Sequence, residues 1–479
     1  MLLKVLGILF ILWVILSVYW KVTSKKRPYI LLFASLLFYA MISVRFIWIL
    51  IVLSVIAYFG AGIIEQKSKS RAVLFVGIIL VSSFLLYYKY SPLLGRIFSA
   101  LHIGLFAESG WMQKVLVPIG ISYFTFEAIG YMGDIYKGKY HAEQNYLKVL
   151  LFLSFFPTVM SGPIKRYDAF SEAISKDIIL DESKVYTCLE KMLWGAFKKT
   201  VIADRIGALI APVMDCVHAY DGFAIFLAAA GYTIELYCDF SGYSDMAIGI
   251  AGLFGIEIPN NFNHPYFSGS IKEFWDKWHI SLSSWLADYI YIPLGGNRKG
   301  KLRTYINLMA TFLISGIWHG AGVKFVFWGM LHGSVRCIEK IFGLDKGHRI
   351  EELFSIKAKE GIKIILRILL LDVFLIFSWL PFALPTFSDF VYAATHLMQG
   401  IQHPISYIQS GLGAFYATPY SNLSLGVGML TLTGVELLQI FRERVRVSNR
   451  QRIFAMTVIV VEVMIFNSTG NPSFIYFNF

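Results

Sequence analysis

The sequence predicts an all-α, polytopic membrane protein. Composition, the length of the apolar runs and the placement of the basic residues carry that prediction. Of 479 residues, 57% are hydrophobic and only 15% charged, whereas an ordinary soluble domain carries about 25% charged residues. Mean hydropathy is +0.61. A water-soluble fold, a disordered chain and a fibrous protein are all excluded. Apolar runs of helical length fall near 3–20, 29–42, 45–64, 72–90, 115–136, 146–163, 192–212, 222–240, 244–256, 303–320, 323–341, 361–384, 423–441 and 452–467. At about 20 residues per crossing the apolar residues supply at most around 13 spans. Runs 29–42 and 244–256 are too short to cross alone, so about eleven transmembrane helices are expected, with re-entrant and amphipathic helices beside them.

The formal charge is +12, from 43 Lys and Arg against 31 Asp and Glu. Basic residues gather in short loops, as at Lys21, Lys25, Lys26 and Arg27 and again at Lys67, Lys69 and Arg71, which is the cytoplasmic-loop bias of helical membrane proteins. No polar segment interleaves basic and aromatic residues, so nucleic acid is not an expected partner. Cys188, Cys216, Cys238 and Cys337 are widely spaced and form neither a disulfide framework nor a zinc knuckle. The first twenty residues lack a small-residue cleavage pattern and read as the first span. No fixed-period repeat stands out, and 165–191 and 343–360 read as linkers or surface helices. One integral-membrane domain over 1–479 is expected, with N-terminal helices at 1–114, a catalytic core at 115–341 and C-terminal helices at 342–479.

The segment 270–286 reads differently. Ser270 and Glu273 have capping-box spacing, which starts a helix near Ile271. At 100° per residue Ile271, Phe274, Trp275, Trp278, Leu282, Trp285 and Leu286 share one stripe, while Lys272, Glu273, Asp276, Lys277 and Ser284 lie opposite. The pattern predicts one amphipathic helix with its tryptophans buried and His279 at the edge of the stripe.

Ionisable residues at membrane depth are costly and usually functional. His319, in S-G-I-W-H-G-A-G from Ser315, is the leading candidate, because a neutral imidazole can take a proton from a hydroxyl near neutral pH. Ser315 lies four residues earlier on the same helix face, and Gly320 and Gly322 leave room for a substrate. A packed core histidine is the alternative. His332 is thirteen residues further, too far along one helix to share a site with His319. Asp239, Ser241, Ser244 and Asp245 could be a hydrogen-bonded structural cap or a binding site. Gly295 to Lys301, followed by Arg303, could hold a phosphorylated donor or act as a positive-inside anchor. No H-E-x-x-H, nucleophile elbow, Walker loop or dinucleotide fingerprint is present, and no metal is expected.

Several motifs resemble the membrane-bound O-acyltransferase (MBOAT) family, in its bacterial alginate O-acetyltransferase-like branch. They are P-I-G-I-S-Y-F-T-F from Pro118, S-G-P-I-K-R from Ser161, D-F-S-G-Y-S-D from Asp239, N-F-N-H-P-Y from Asn261, F-W-D-K-W-H-I-S-L-S from Phe274, Y-I-P-L-G-G-N-R from Tyr291, W-H-G from Trp318 and F-I-Y-F from Phe474. The resemblance implies a ring of helices around a central catalytic tunnel, with His319 and His279 as the catalytic pair. Trp278, Trp318, Ser315, Asp288, Asn297 and Arg298 form the expected substrate-binding set. The branch often has Arg where this chain has Ala287, and F-F-R-A where it has Leu380 to Ala383.

The function this implies is O-acetylation of a cell-envelope polysaccharide by a multi-pass enzyme of the bacterial inner membrane. Acetyl-CoA is the expected donor substrate, a secreted or membrane-anchored acetyltransferase the expected partner, and membrane lipid the surroundings. D-alanyl transfer to teichoic acid is the runner-up. A transporter, from another class, would also use broken helices with buried charges. It predicts charges paired along several spans and inverted repeats, and the sequence displays neither.

Overall fold

The computed structural model describes residues 2–100 and 115–466, apart from 68, 180, 221, 348, 416, 417, 443, 444, 446 and 447. The terminal motif at Phe474 lies outside the described residues. Among those described, the regular structure is helical: α1 (Leu2–Lys21), α2 (Arg27–Ser43), α3 (Ile47–Gln66), α4 (Arg71–Ala100), α5 (Ile121–Lys137), α6 (Tyr146–Ser154), α7 (Tyr167–Ser175), α8 (Glu182–Phe197), α9 (Asp204–Asp215), α10 (Gly222–Leu253), α11 (Ile271–Lys277), α12 (Ile280–Leu286), α13 (Lys301–His319), α14 (Val323–Phe342), α15 (Ala358–Ala383), α16 (Phe387–His396), α17 (Pro404–Gly413), α18 (Pro419–Ile440) and α19 (Asn449–Phe466). Five helical segments among the described residues are long and apolar enough to cross a bilayer: Ser24–Gln66, Arg71–Gly95, Gly222–Leu253, Ala358–Ala383 and Pro419–Ile440. The chain is thus an all-α membrane protein.

Several apolar runs change character on folding. Runs 222–240 and 244–256 merge into the single helix α10, because the polar residues between them are paired rather than solvated. Run 146–163 is helical only to Ser154. Run 115–136 turns helical only at Ile121, after Gly120 at φ 81°; a Cβ on Gly120 would lie 2.0 Å from the Val159 carbonyl oxygen. Only glycine fits both the left-handed backbone and that approach.

The helices group into two compact units, one formed by 1–192 and 247–260, the other by 193–246 and 261–479. In the first, Met132 of α5 lies against Gly60 of α3 and Gly77 of α4, where an added Cβ would approach its sulfur to 3.0 and 2.9 Å. Glu127 and Lys165 form a buried ion pair at 2.7 Å, and Lys165 also donates to Thr158 Oγ1 at 2.9 Å.

The second unit carries the candidate site. A π-helical segment, Lys198–Ala203, joins α8 to α9, and its two lysines reach into α10. Lys198 binds Asp245 at 2.6 Å and Ser241 at 2.8 Å, while Lys199 binds Asp239 at 2.5 Å and Asp204 at 2.9 Å. These pairs correct the reading that charges are not paired. Apart from Asp204, the partners lie about forty residues from the lysines in sequence, so no local pattern announces them.

Helices α13 and α14 form a hairpin closed by glycines. A Cβ on Gly316 would sit 2.3 Å from the Phe325 carbonyl oxygen, and one on Gly329 2.5 Å from that of Phe312. Small residues let the two backbones touch, the packing used between helices where lipid supplies no hydrophobic drive.

Candidate active site

The predicted single helix over 270–286 is two helices. Ser270 Oγ accepts from the Glu273 N–H at 3.1 Å, and Glu273 answers with a bond from the Gly269 N–H at 2.9 Å. The start of α11 is held again by Glu339 of α14, whose carboxylate accepts from the N–H groups of Ile271 at 2.7 Å and Lys272 at 3.1 Å. A carboxylate there is favoured by the orphan amides and the helix dipole. The helix then stops at Trp278, and His279 takes φ 45°, ψ 52° as the N-cap of α12. The segment after α10 causes the break by capturing the backbone: the Ile280 N–H donates to the Asn261 carbonyl at 2.9 Å, and the Asn263 N–H to the Lys277 carbonyl at 3.0 Å. Left-handed backbone is unusual for a residue with a Cβ and clusters at functional sites.

His279 is 1% exposed. Its Nδ1 lies 3.1 Å from Asn261 Oδ1, which also accepts from the Ser281 N–H at 3.2 Å and the Ser281 hydroxyl at 2.9 Å. An oxygen acceptor at Nδ1 selects the tautomer that carries its proton there and leaves the lone pair on Nε2. Asn261 is itself fixed by a bond from its Nδ2 to Ser244 Oγ at 3.3 Å, and Phe240 meets the imidazole edge-on with ring centroids 4.7 Å apart.

His319 is the last residue of α13 and is 4% exposed. Its ring meets Trp318, Trp328 and Phe382 edge-on at 4.9, 5.3 and 5.1 Å. Trp318 also meets His279 at 6.2 Å, so one indole adjoins both histidines. Gly320 follows with extended backbone, and a Cβ there would strike the Phe325 ring at 2.2 Å. The chain therefore turns at once into α14, antiparallel to α13. His332, which sequence distance separated from His319, returns on α14 with its ring 4.7 Å from Trp328, so both histidines flank the same indole.

Of the expected substrate-binding set, Trp278, Trp318 and Ser315 are buried in this unit. Trp278 stacks on Phe274 at 5.4 Å and tilts on Trp379 at 5.0 Å. Asp288 lies in the π-helical turn Ala287–Tyr291, half-buried. Asn297 and Arg298 are exposed with Lys299, Lys301 and Arg303, in a turn where Gly295, Gly296 and Gly300 have φ 112°, 54° and 86°. That turn precedes α13 and His319 ends it, a separation of about 27 Å along the axis. Asn297 and Arg298 therefore cannot touch a group reacting at His319. Of the two readings of Asp239, Ser241, Ser244 and Asp245, the ion pairs support a structural tie, while Ser244 acts on the site through Asn261. Sequence reasoning passed over Asn261 as a site residue; its one signal was its place at the head of a motif.

Two buried imidazoles on one indole, one with a fixed tautomer, can bind and deprotonate a hydroxyl and orient a second polar group. The profile of the membrane-bound O-acyltransferase family matches residues 121–343, which include both histidines. A probable alginate O-acetylase of Pseudomonas syringae pv. tomato is 38% identical, over 69% of this chain and 64% of its own length. A probable alginate O-acetylase of Pseudomonas putida is 37% identical, over 69% of both chains. A peptidoglycan O-acetyltransferase of Helicobacter pylori is 34% identical, over 65% of this chain and 64% of its own. The chain thus spans about two thirds of the length of these relatives.

Proposed function

Because the chain belongs to the membrane-bound O-acyltransferase family, we propose that it transfers an acyl group, acetyl in this reading, from acetyl-CoA for the O-acetylation of a cell-envelope polysaccharide. The observation that carries the reading is the His279–Trp318–His319 cluster, buried and built from the N-cap of α12 and the end of α13. His319 takes the proton of an acceptor hydroxyl as its oxygen attacks the thioester carbonyl; the C–S bond breaks, and the thiolate leaves with a proton returned by the imidazolium. His279, held by Asn261, orients the acceptor or the carbonyl through Nε2. Trp278, Trp318 and Ser315 line the reacting end, with Asp288 in the π-helical turn that follows α12.

The basic turn around Asn297 and Arg298 receives the anionic head of the donor far from the reacting carbonyl. A CoA-sized substrate has the length for such an arrangement. The enzyme works in the bacterial inner membrane and hands acetyl groups to a secreted or membrane-anchored acetyltransferase that completes the polysaccharide. The names of the relatives support the envelope acceptor, since they refer to alginate and peptidoglycan.

Mass spectrometry of envelope glycans from cells with and without the gene tests the reading. Loss of ester-linked acetate, restored by the wild-type gene and not by His319→Ala, is the expected result. Unchanged acetylation overturns it, and loss of esterified D-alanine in its place assigns D-alanyl transfer.

A further inference from the structure

His332 is fully buried, at 0% exposure. Aromatic rings surround it: Trp275 at 5.3 Å, Trp328 at 4.7 Å and Phe374 at 5.3 Å between centroids. Among the described residues neither His332 nitrogen hydrogen-bonds to a protein atom, and the same holds for the indole nitrogens of Trp275 and Trp328. The two indoles are themselves 5.6 Å apart, so four unsatisfied polar atoms belong to one cluster. Buried polar atoms without partners are rare and costly, and clusters of them are ordinarily served by a small hydrogen-bonding guest.

The guest's chemistry follows from the inventory. A neutral imidazole offers one N–H and one lone pair, and each indole offers one N–H. One oxygen reaches only one nitrogen of the imidazole; where that nitrogen carries the lone pair, the oxygen's hydrogen meets it and the two indole N–H groups meet the oxygen's two lone pairs. A cation would meet one acceptor only, and a carboxylate has no hydrogen for the imidazole lone pair and must be stripped of water.

We propose that His332, Trp275 and Trp328 form a buried niche for one neutral hydroxyl oxygen, that of a water molecule or of an acceptor alcohol, and that the filled niche positions His319. Positioning runs through Trp328, whose ring meets both His332 and His319. His332 lies nine residues into α14, about 14 Å from its start, so the niche is deeper than the reacting imidazole and sets the indole against which that imidazole rests. This role of His319 rests on the acyl-transfer reading; the niche itself does not.

The test uses the full chain in lipid nanodiscs, imaged at a resolution that shows ordered water. Density within about 2.7–3.2 Å of a His332 nitrogen and an indole nitrogen is expected without any substrate if the guest is water, and only with added envelope polysaccharide if it is an alcohol. No density in either sample overturns the niche. In membranes supplied with acetyl-CoA, that polysaccharide and the partner acetyltransferase, His332→Phe should lower kcat at least about tenfold while the protein still accumulates folded in the membrane. His332→Gln, which keeps a donor and an acceptor, should recover much of the loss. Wild-type kcat in His332→Phe overturns the positioning role; should that variant not accumulate, Trp275→Phe, which deletes one N–H and keeps a ring, is read by the same criterion. If wild-type protein transfers no acetyl, the functional reading fails alone, and the density still decides the niche.

Discussion

Asn261 governs His279 from eighteen residues away: its carbonyl ends the helix that the hydrophobic stripe would have continued, and its side chain fixes the imidazole tautomer. Asn261→Leu should lower acyl transfer about 10–100-fold, the range found when the partner that orients a functional histidine is removed. Asn261→Asp keeps an oxygen before Nδ1 and should retain more activity; initial rates with labelled acetyl-CoA, per amount of protein in the membrane, check both. His319→Ala should leave the protein folded and reduce transfer by about 10²–10⁴, the usual cost of a lost general base. Wild-type rates in that variant would remove His319 from the chemistry. As a candidate, His319 was legible in the sequence, as an ionisable residue among glycines at the end of an apolar run. Asn261 was not, because nothing local to an asparagine reveals which distant amides it will capture.

At the scale of elements, the α13–α14 hairpin and the lysine pairs of α10 make separable predictions. Gly316→Ala would drive a Cβ into a backbone oxygen at 2.3 Å, whereas Gly333→Ala would meet the flexible Met309 sulfur at 2.9 Å. The first should therefore cost about 1–3 kcal/mol or more and the second less, read as the order of melting temperatures in detergent. Asp239 is buried against Lys199, so Lys199→Met removes the cation that balances its carboxylate and should cost about 3–5 kcal/mol. The double variant with Asp239→Asn should recover much of that loss, since it removes the unbalanced charge. A double variant no more stable than the single one would show that the pair is not the tie between the π-helical segment and α10.

For the whole molecule, the exposed basic turn and the buried histidines stand at opposite ends of one helix, the separation on which the proposed division between donor capture and chemistry rests. Neutralising Lys299 and Lys301 together should raise the apparent KM for acetyl-CoA and leave kcat nearly unchanged, because a contact made equally in ground and transition states affects binding alone. The effect should shrink as salt screens exposed charge. Lower membrane abundance with unaltered kinetics per molecule would instead make the turn a topological anchor.

Composition and run length determined that the chain is helical and membrane-embedded, because transfer of apolar surface out of water depends on residue type and hardly on arrangement. Local pattern also determined the start of α11 at Ser270 and the full lengths of α13 and α14, whose caps, glycines and apolar residues lie within a few positions of one another. Tertiary structure decided the rest of the site. The stripe from Ile271 to Leu286 favours one continuous helix, and only the Asn261–Asn263 segment, by taking its backbone bonds, breaks it at His279 and turns that ring to Trp318. Likewise the thirteen-residue separation of His319 and His332 is a long way along a helix and a short way across a hairpin, and it is the backbone contact at Gly316 and Gly329 that folds the one into the other.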